Sequence, residues 1–293
     1  MLFSNFQHKN IISVSRRTDI PAFYSNWFLN VLKQEYVLVE NPFNHKINRV
    51  SLSPEDVLGF VFWSRYPIGL VNILDFIDSK YGHNHYINFT INDYPFELEP
   101  NKPKLEKVLK IVDLLFDRYG DNYIHWRFDP IVISDLTPKE YIIDKFGALC
   151  ATLSGRTKVC ITSFVDLYSK VEKRIKKEGE FSLQMFSFDE QMELINQLRS
   201  IANEFNIELR LCCESELSKA LKIETATCVN PHNFKNYTRD TIKLAPTRKG
   251  CTCYKSIDIG FYNSCLFRCV YCYSNASFDT SLKNYLKKIK SGI

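Results

Sequence analysis

Three cysteines stand close together in the run Cys265-Leu-Phe-Arg-Cys269-Val-Tyr-Cys272. Spacings of three and then two intervening residues let one loop turn several thiolates toward a common centre. Three thiolates can hold three irons of a four-iron cluster and leave the fourth iron open to another ligand. Zinc is the alternative, but a structural zinc takes four protein ligands, which would recruit Cys251, Cys253 or His232. Cys212, Cys228, Cys251 and Cys253 form a second candidate set, able to close the coordination of a second iron–sulfur centre or of zinc. Cys213, next to Cys212, leaves the ligand at that point open. Cys150 (in FGALCATL) and Cys160 (in TKVCITSF) read as small buried hydrophobes.

The elements that must position these thiols follow from pattern. Short β-branched and aromatic runs alternate with amphipathic stretches, as in βα units around a mainly parallel sheet. The strand candidates are Ile11 to Ser15, Gly59 to Ser64, Tyr86 to Ile91, Tyr123 to Phe128, Lys158 to Phe164 and Ile207 to Cys212, with Ser256 to Tyr262 just before the cysteine loop. Leu105, Val108, Leu109, Val112, Leu115 and Phe116 keep helical spacing up to Gly120, a C-terminal cap. Thr137-Pro138-Lys139-Glu140 predicts a helix capped by the threonine hydroxyl. Ser187 with Glu190 predicts a capping box on a helix whose Met192, Ile195, Leu198, Ile201, Ala202 and Phe205 face the core. Ser281 to Ile289 is helix-compatible. The basic run Lys170 to Lys177 is read as a solvated helix face rather than a nucleic-acid contact, because no aromatic residue interleaves its charges.

A chain of 293 residues with 45% hydrophobic and 24% charged residues can bury a large core and is no disordered tail. Ten cysteines at this length fall far short of a disulfide scaffold. A formal charge of +5 permits a polyanionic partner without requiring one. No apolar run approaches the roughly 18 residues of a membrane span, and Met1 to Asn10 lacks the pattern of a signal peptide. A cytoplasmic protein with no membrane partner is expected. Residues 1–223 are expected to form a partial βα barrel, and the segment 224–293, rich in Asn, Thr, Lys and Cys at its start, to complete it.

The strand, the cysteine loop and the helix after it, with Tyr271 before the last cysteine, resemble the cluster loop of radical S-adenosylmethionine enzymes. Cys269-Val-Tyr-Cys-Tyr273 is similar to the form in the spore photoproduct lyase branch. The position differs, since that loop ordinarily follows the first barrel strand, so the resemblance implies a circularly permuted, partial (β/α) TIM-like barrel. Over nearly its whole length the chain also resembles the DUF1848 family. The matching stretches are Ser15-Arg-Arg-Thr-Asp-Ile-Pro21, Asn41-Pro-Phe-Asn44, Ser51-Leu-Ser-Pro-Glu-Asp56, Trp126-Arg-Phe-Asp-Pro130, Ser163-Phe-Val-Asp166 and Ser256-Ile-Asp-Ile-Gly260.

The radical S-adenosylmethionine resemblance implies a [4Fe–4S] cluster on Cys265, Cys269 and Cys272. Reduced by a flavodoxin or ferredoxin, it would cleave S-adenosylmethionine to methionine and a deoxyadenosyl radical that attacks a small-molecule or macromolecular substrate. If the strand before the loop comes first in the barrel, Ile11 to Ser15 comes second. Arg16, Arg17 and Asp19 then lie at a strand end, where an arginine could pair with the methionine carboxylate and Asp19 with its amine; Tyr271 would lie beside the adenine. The glycine-rich stretch usual at that place is missing. Other polar residues at predicted strand ends are Ser64 and Arg65, Asn92 and Asp93, Arg127 and Asp129, Ser163 and Asp166, and Glu214. Arg127, Asp129 and Asp166 are the catalytic candidates, with a structural Arg127–Asp129 ion pair as the plainer reading. His85 and His125 are read as satisfied histidines, and Trp63 and Trp126 as core or pocket floor. Two other functions fit the same residues: a zinc- or iron–sulfur-stabilised binding protein without catalysis, and an enzyme of nucleic-acid repair or modification.

Overall fold

A computed structural model of the chain describes residues 9–178, 181–237 and 241–290; most of the Met1 to Asn10 segment lies outside them. The strands are β1 (Asn10–Val14), β2 (Tyr36–Glu40), β3 (Ile47–Ser51), β4 (Val57–Ser64), β5 (His85–Thr90), β6 (Ile124–Arg127), β7 (Val159–Thr162), β8 (Glu208–Leu211) and β9 (Ile257–Asp258). Seven of them form a sheet in the order β8-β7-β6-β5-β4-β1-β9, and every pairing in it is parallel. The chain therefore lays strands down side by side from β1 to β8 and returns at its end to place β9 on the far side of β1, with Ile12 opposite Ile257. The sheet is open. No closed barrel forms among the described residues, since β8 and β9 are its two edges.

All seven strands expected from sequence are present, but β6 and β8 are two residues shorter than expected, β7 is three shorter, and β9 keeps only two of the seven residues from Ser256 to Tyr262. The β2–β3 hairpin is a further antiparallel pair, one that the search for buried strands did not single out because much of it is exposed.

Alternation along the strands gives the sheet two unlike faces. One carries Ile12, Val14, Phe60, Phe62, Ile87, Phe89, Trp126 and Cys160, all buried. Ring contacts place helices on that face. Phe28 of helix Ser25–Gln34 meets Phe60 and Phe62, Tyr119 of helix Leu105–Tyr119 meets His85, and Phe146 of helix Lys139–Leu153 stacks on Trp126. Cys150 and Cys160 belong to this core. The other face carries Asp258, Ser13, Trp63, Asn88, His125, Arg127 and Arg210. It is covered in part by the irregular segment after β8: Tyr86 and Asn88 both donate to the Cys228 carbonyl, at 3.1 Å each, and Phe234 packs on Tyr86.

Two of the three helix ends expected from sequence form as expected. Gly120 caps helix Leu105–Tyr119, its N–H reaching Phe116, and Ser187 and Glu190 form the expected capping box on helix Phe188–Glu204. Thr137 does not cap helix Lys139–Leu153; its hydroxyl donates to the Val132 carbonyl at 2.7 Å and contacts Ser134, a turn that competes for the same oxygen. His85 is satisfied as expected, between Tyr123 at 2.9 Å and Asp78 at 2.8 Å. His125 is half-buried beside Tyr86, where desolvation pushes its pKa down to about 4, helped by Arg210 and Arg127.

Candidate functional site

Both cysteine groups lie past the C-terminal ends of the parallel strands. The loop 259–275 leaves β9 at one edge, and Cys212 and Cys213 directly follow β8 at the other.

Asp258 anchors the cysteine loop. Its carboxylate accepts from Ser13 Oγ at 3.0 Å, Ser15 Oγ at 2.6 Å, Arg16 N at 2.9 Å and Gly260 N at 3.0 Å. Arg16 and Arg17 approach it at 3.7 Å each. Gly260 cannot be larger, because a Cβ there would fall 1.9 Å from Ser15 Oγ. A second clamp comes from Arg174, whose guanidinium donates to the carbonyls of Val270 and Cys272 at 2.8 Å each and to that of Asn275. Arg174 belongs to the basic run expected to face water. Lys170, Lys173, Lys176 and Lys177 are exposed, but Arg174 is buried, its stem threaded inward from helix Ser169–Glu178.

A third tie is the buried group Arg65, Glu99 and Tyr271. Arg65 pairs with Glu99 at 2.7 Å and donates to the Tyr271 hydroxyl at 2.9 Å; Asn92 donates to the same hydroxyl at 3.2 Å, and the hydroxyl itself donates to Glu99. Tyr271 is thus a wall residue whose polar atom is engaged by the scaffold. Asp19 is engaged as well. It caps the short helix Ile20–Phe23 through Ala22 N and accepts from Ser64 Oγ at 3.0 Å and Arg65 N at 2.8 Å. Burial, opposed by these donors, pushes its pKa up to about 6. Arg16 and Arg17, by contrast, keep side chains about one-fifth exposed.

Cys265 and Cys272 are half-buried and Cys269 is buried. Burial pushes the Cys269 thiol up to about 12 against the pull of the neighbouring Arg65, so a metal must displace its proton on binding.

The second group is tighter. Cys212 Sγ lies 3.7 Å from Cys213 Sγ and 3.8 Å from Cys228 Sγ. The turns carrying Cys228 and Cys253 are joined where Thr227 Oγ1 meets Thr252 Oγ1 at 3.0 Å, and Cys253 N donates to Cys251 Sγ at 3.4 Å. Gly250, at φ 75°, makes this approach possible, since a Cβ there would lie 2.8 Å from the Cys213 carbonyl oxygen. One guanidinium reaches this group, Arg127 donating to Cys228 Sγ at 2.9 Å. Among the described residues, no three His, Cys, Asp or Glu side chains converge on one ion as placed.

The three catalytic candidates do not form one group. Arg127 bridges Cys228 and Asp129, the latter at 2.7 Å, and Asp129 also accepts from Ser163 Oγ at 2.5 Å. Asp166 is half-exposed and pairs with Arg248. Between the two cysteine groups stands Trp63, which has Arg16 at 5.6 Å and Arg127 at 5.4 Å from its ring and donates to Ser13 Oγ at 3.1 Å. Sequence reasoning did not single out Asp258, Glu99, Arg174 or Arg248. The only signal for any of them was the position of Asp258 in the strand that leads to the cysteines.

A family model, described as a domain of unknown function (DUF1848), matches residues 11–274. No curated protein matches the chain. Among the described residues no helix is long and apolar enough to cross a membrane.

Proposed function

The chain belongs to the DUF1848 family, and we propose that it is an iron–sulfur enzyme of the radical S-adenosylmethionine type, built on a permuted, incomplete (β/α) barrel. The observation that carries this reading is the placement of β9. A strand from the end of the chain pairs in parallel with β1, so that strand, cysteine loop and helix Phe278–Lys290 stand first in a spatial series of seven parallel strands. Helices packed on one face of a parallel sheet, with polar residues gathered on the other and at the strand ends, suit a barrel wall rather than a doubly wound sheet.

The donor set suits a [4Fe–4S] cluster. Three thiols come from one loop, and that loop is fixed at Asp258, Arg174 and Tyr271. Such a cluster, with one iron open, would supply reductive cleavage of S-adenosylmethionine. The chain's own residues have more limited tasks. Arg16 and Arg17 hold Asp258 only at 3.7 Å and give one further donor each, to Ser256 Oγ at 3.4 Å and to the Gly260 carbonyl at 3.3 Å, which leaves guanidinium donors for the methionine carboxylate. Asp19 and Tyr271 tie β1, β4 and the loop together through their polar atoms. Arg127 and Asp129 line the polar face toward the substrate side, and Asp166 stands at its margin.

Anaerobic reconstitution with iron and sulfide, followed by electron paramagnetic resonance of the reduced protein with and without S-adenosylmethionine, tests the proposal. A shifted cluster signal and reductant-dependent cleavage are expected. A loaded cluster whose spectrum ignores S-adenosylmethionine overturns it, and zinc in this loop after anaerobic purification from iron-supplied cells would point to a metal-stabilised binding protein.

A further inference from the structure

We infer that the basic helix Ser169–Glu178 and the cysteine loop it clamps form the docking surface for an acidic protein that carries one electron, which rests on the loop holding a cluster as proposed above. The helix is one-sided. Val171, Arg174 and Ile175 are buried, while Lys170, Lys173, Lys176 and Lys177 are exposed. At about 3.6 residues per turn these four lysines fall on one contiguous arc, with Glu172 at its margin. Other lysines serve the fold: Lys80, Lys102, Lys139, Lys145 and Lys158 each pair with a carboxylate. Among the described residues the four of this helix have no such pair. Like charges three and four positions apart repel one another and destabilise a helix, so stability does not explain the arc. A partner of opposite charge does.

The helix meets the loop at the candidate ligands. Arg174 donates to the carbonyls of Val270 and Cys272 at 2.8 Å each, and Lys170 and Lys177 stand four positions before it and three after, on its flanks. Phe278 has both Arg174 and Arg268 over its ring, at 5.2 and 4.8 Å. The exposed Arg268, between Cys265 and Cys269, therefore extends the positive surface onto the loop. Tyr168, just before the helix, and Tyr273, just after Cys272, are both half-exposed and pack with ring centroids 6.3 Å apart. Exposed tyrosines bordered by cations have the make-up of a protein interface, an aromatic centre with a charged rim. Electron transfer weakens steeply with distance, so a carrier must seat beside the cluster ligands, and this surface lies there. The carrier loses one electron and the cluster gains it, with no bond formed or broken. Opposite charges steer the two together and are screened by salt.

Binding is the first readout. Flavodoxin, an acidic one-electron carrier, is titrated calorimetrically into the anaerobically purified full chain at low salt. The same titration is made on a variant carrying K170Q, K173Q, K176Q and K177Q, and on a control with the same change of charge at the exposed Lys33, Lys107, Lys110 and Lys219. The helix variant should bind about tenfold more weakly or worse and the control within about twofold of the unsubstituted chain, whose own binding high salt should abolish. Equal weakening in both variants, or in neither, overturns the proposal. Binding of a single-stranded oligonucleotide that the helix variant loses, with no binding of flavodoxin, also overturns it and makes the surface a nucleic-acid contact. On reconstituted protein, reduction of the cluster by flavodoxin should slow as binding weakens. Dithionite, which needs no docking, separates this inference from the enzyme reading. Cleavage of S-adenosylmethionine with dithionite but no lysine-dependent flavodoxin binding removes the docking surface alone. A dithionite-reduced cluster that leaves S-adenosylmethionine intact, beside lysine-dependent binding, removes the enzyme reading and keeps the surface.

Discussion

Ser13 donates from its hydroxyl to Asp258, 245 positions further along the chain, at 3.0 Å. That bond, with those from Ser15 and the Arg16 backbone to the same carboxylate, stitches the first strand of the chain to the strand that delivers the cysteines. A pairing of only two residues on each strand would be weak alone. The carboxylate adds three bonds from the first strand and the residues after it.

Replacing Asp258 with asparagine should therefore act on the loop before it acts on the core. Hydrogen bonds to a charged group are worth about 1.5–3 kcal/mol each, and asparagine keeps some of them, so a loss near 2 kcal/mol in stability is expected. Iron per chain after reconstitution should fall with it. Full iron loading at unchanged stability would show that β9 is held by other contacts.

Arg174→Gln should free the carbonyls of Val270, Cys272 and Asn275. Hydrogen exchange across residues 265–275 should speed markedly while the sheet stays protected. Lys173→Gln, on the same helix but exposed, is the control and should leave exchange unchanged.

At Arg127 the substitution to methionine removes a buried guanidinium and leaves Asp129 and the Cys228 sulfur without their shared donor. Breaking a buried pair in this way costs about 3–5 kcal/mol. Urea unfolding should show it, and a change below 1 kcal/mol would mean that water replaces the guanidinium at little cost.

The cluster of Asp78, His85, Arg118 and Tyr119 predicts the acid limit of the fold. The bonds from His85, Arg118 and Tyr119 outweigh burial and hold Asp78 down at about 2, below the ordinary 3.8, so its contribution is complete above pH 3.8 and is lost as pH falls toward 2. His85, lowered from 6.5 by burial, adds stability that is complete above 6.5 and declines as acid charges it. Both terms fall in the same direction. Unfolding free energy measured from pH 7 to pH 2 should drop throughout, and Asp78→Asn should flatten its lower part.

Gly260→Ala tests the contact of loop and first strand, because the new methyl would meet Ser15 Oγ. Overpacking of this sort costs about 1–3 kcal/mol. The double substitution with Ser15→Gly should recover part of the loss, which a purely local backbone effect at residue 260 would not allow.

Much of this protein was legible in its sequence. Buried parallel strands announce themselves as short apolar runs, and the runs from Ile11 to Cys212 were all present as strands. The spacing of Cys265, Cys269 and Cys272 marked one loop as a place for metal chemistry, and the burial of Cys150 and Cys160 followed from their apolar neighbours. These are local properties, set by period and by residue type. What surrounds the cysteines was decided elsewhere. Arg174 looked like one cation in a solvated run and Asp258 like one residue of a strand, because a side chain's partner 96 or 245 positions away leaves no mark on its own neighbourhood. Asp19 and Tyr271 are expected from the resemblance to meet the ligand, and the fold alone shows that their polar atoms also bind Ser64, Arg65, Asn92 and Glu99. The two cysteine groups differ in the same way. Spacing along the chain named their members, but only the folded sheet, by bringing the end of β8 against residues 228 to 253, set Cys212 Sγ 3.8 Å from Cys228 Sγ.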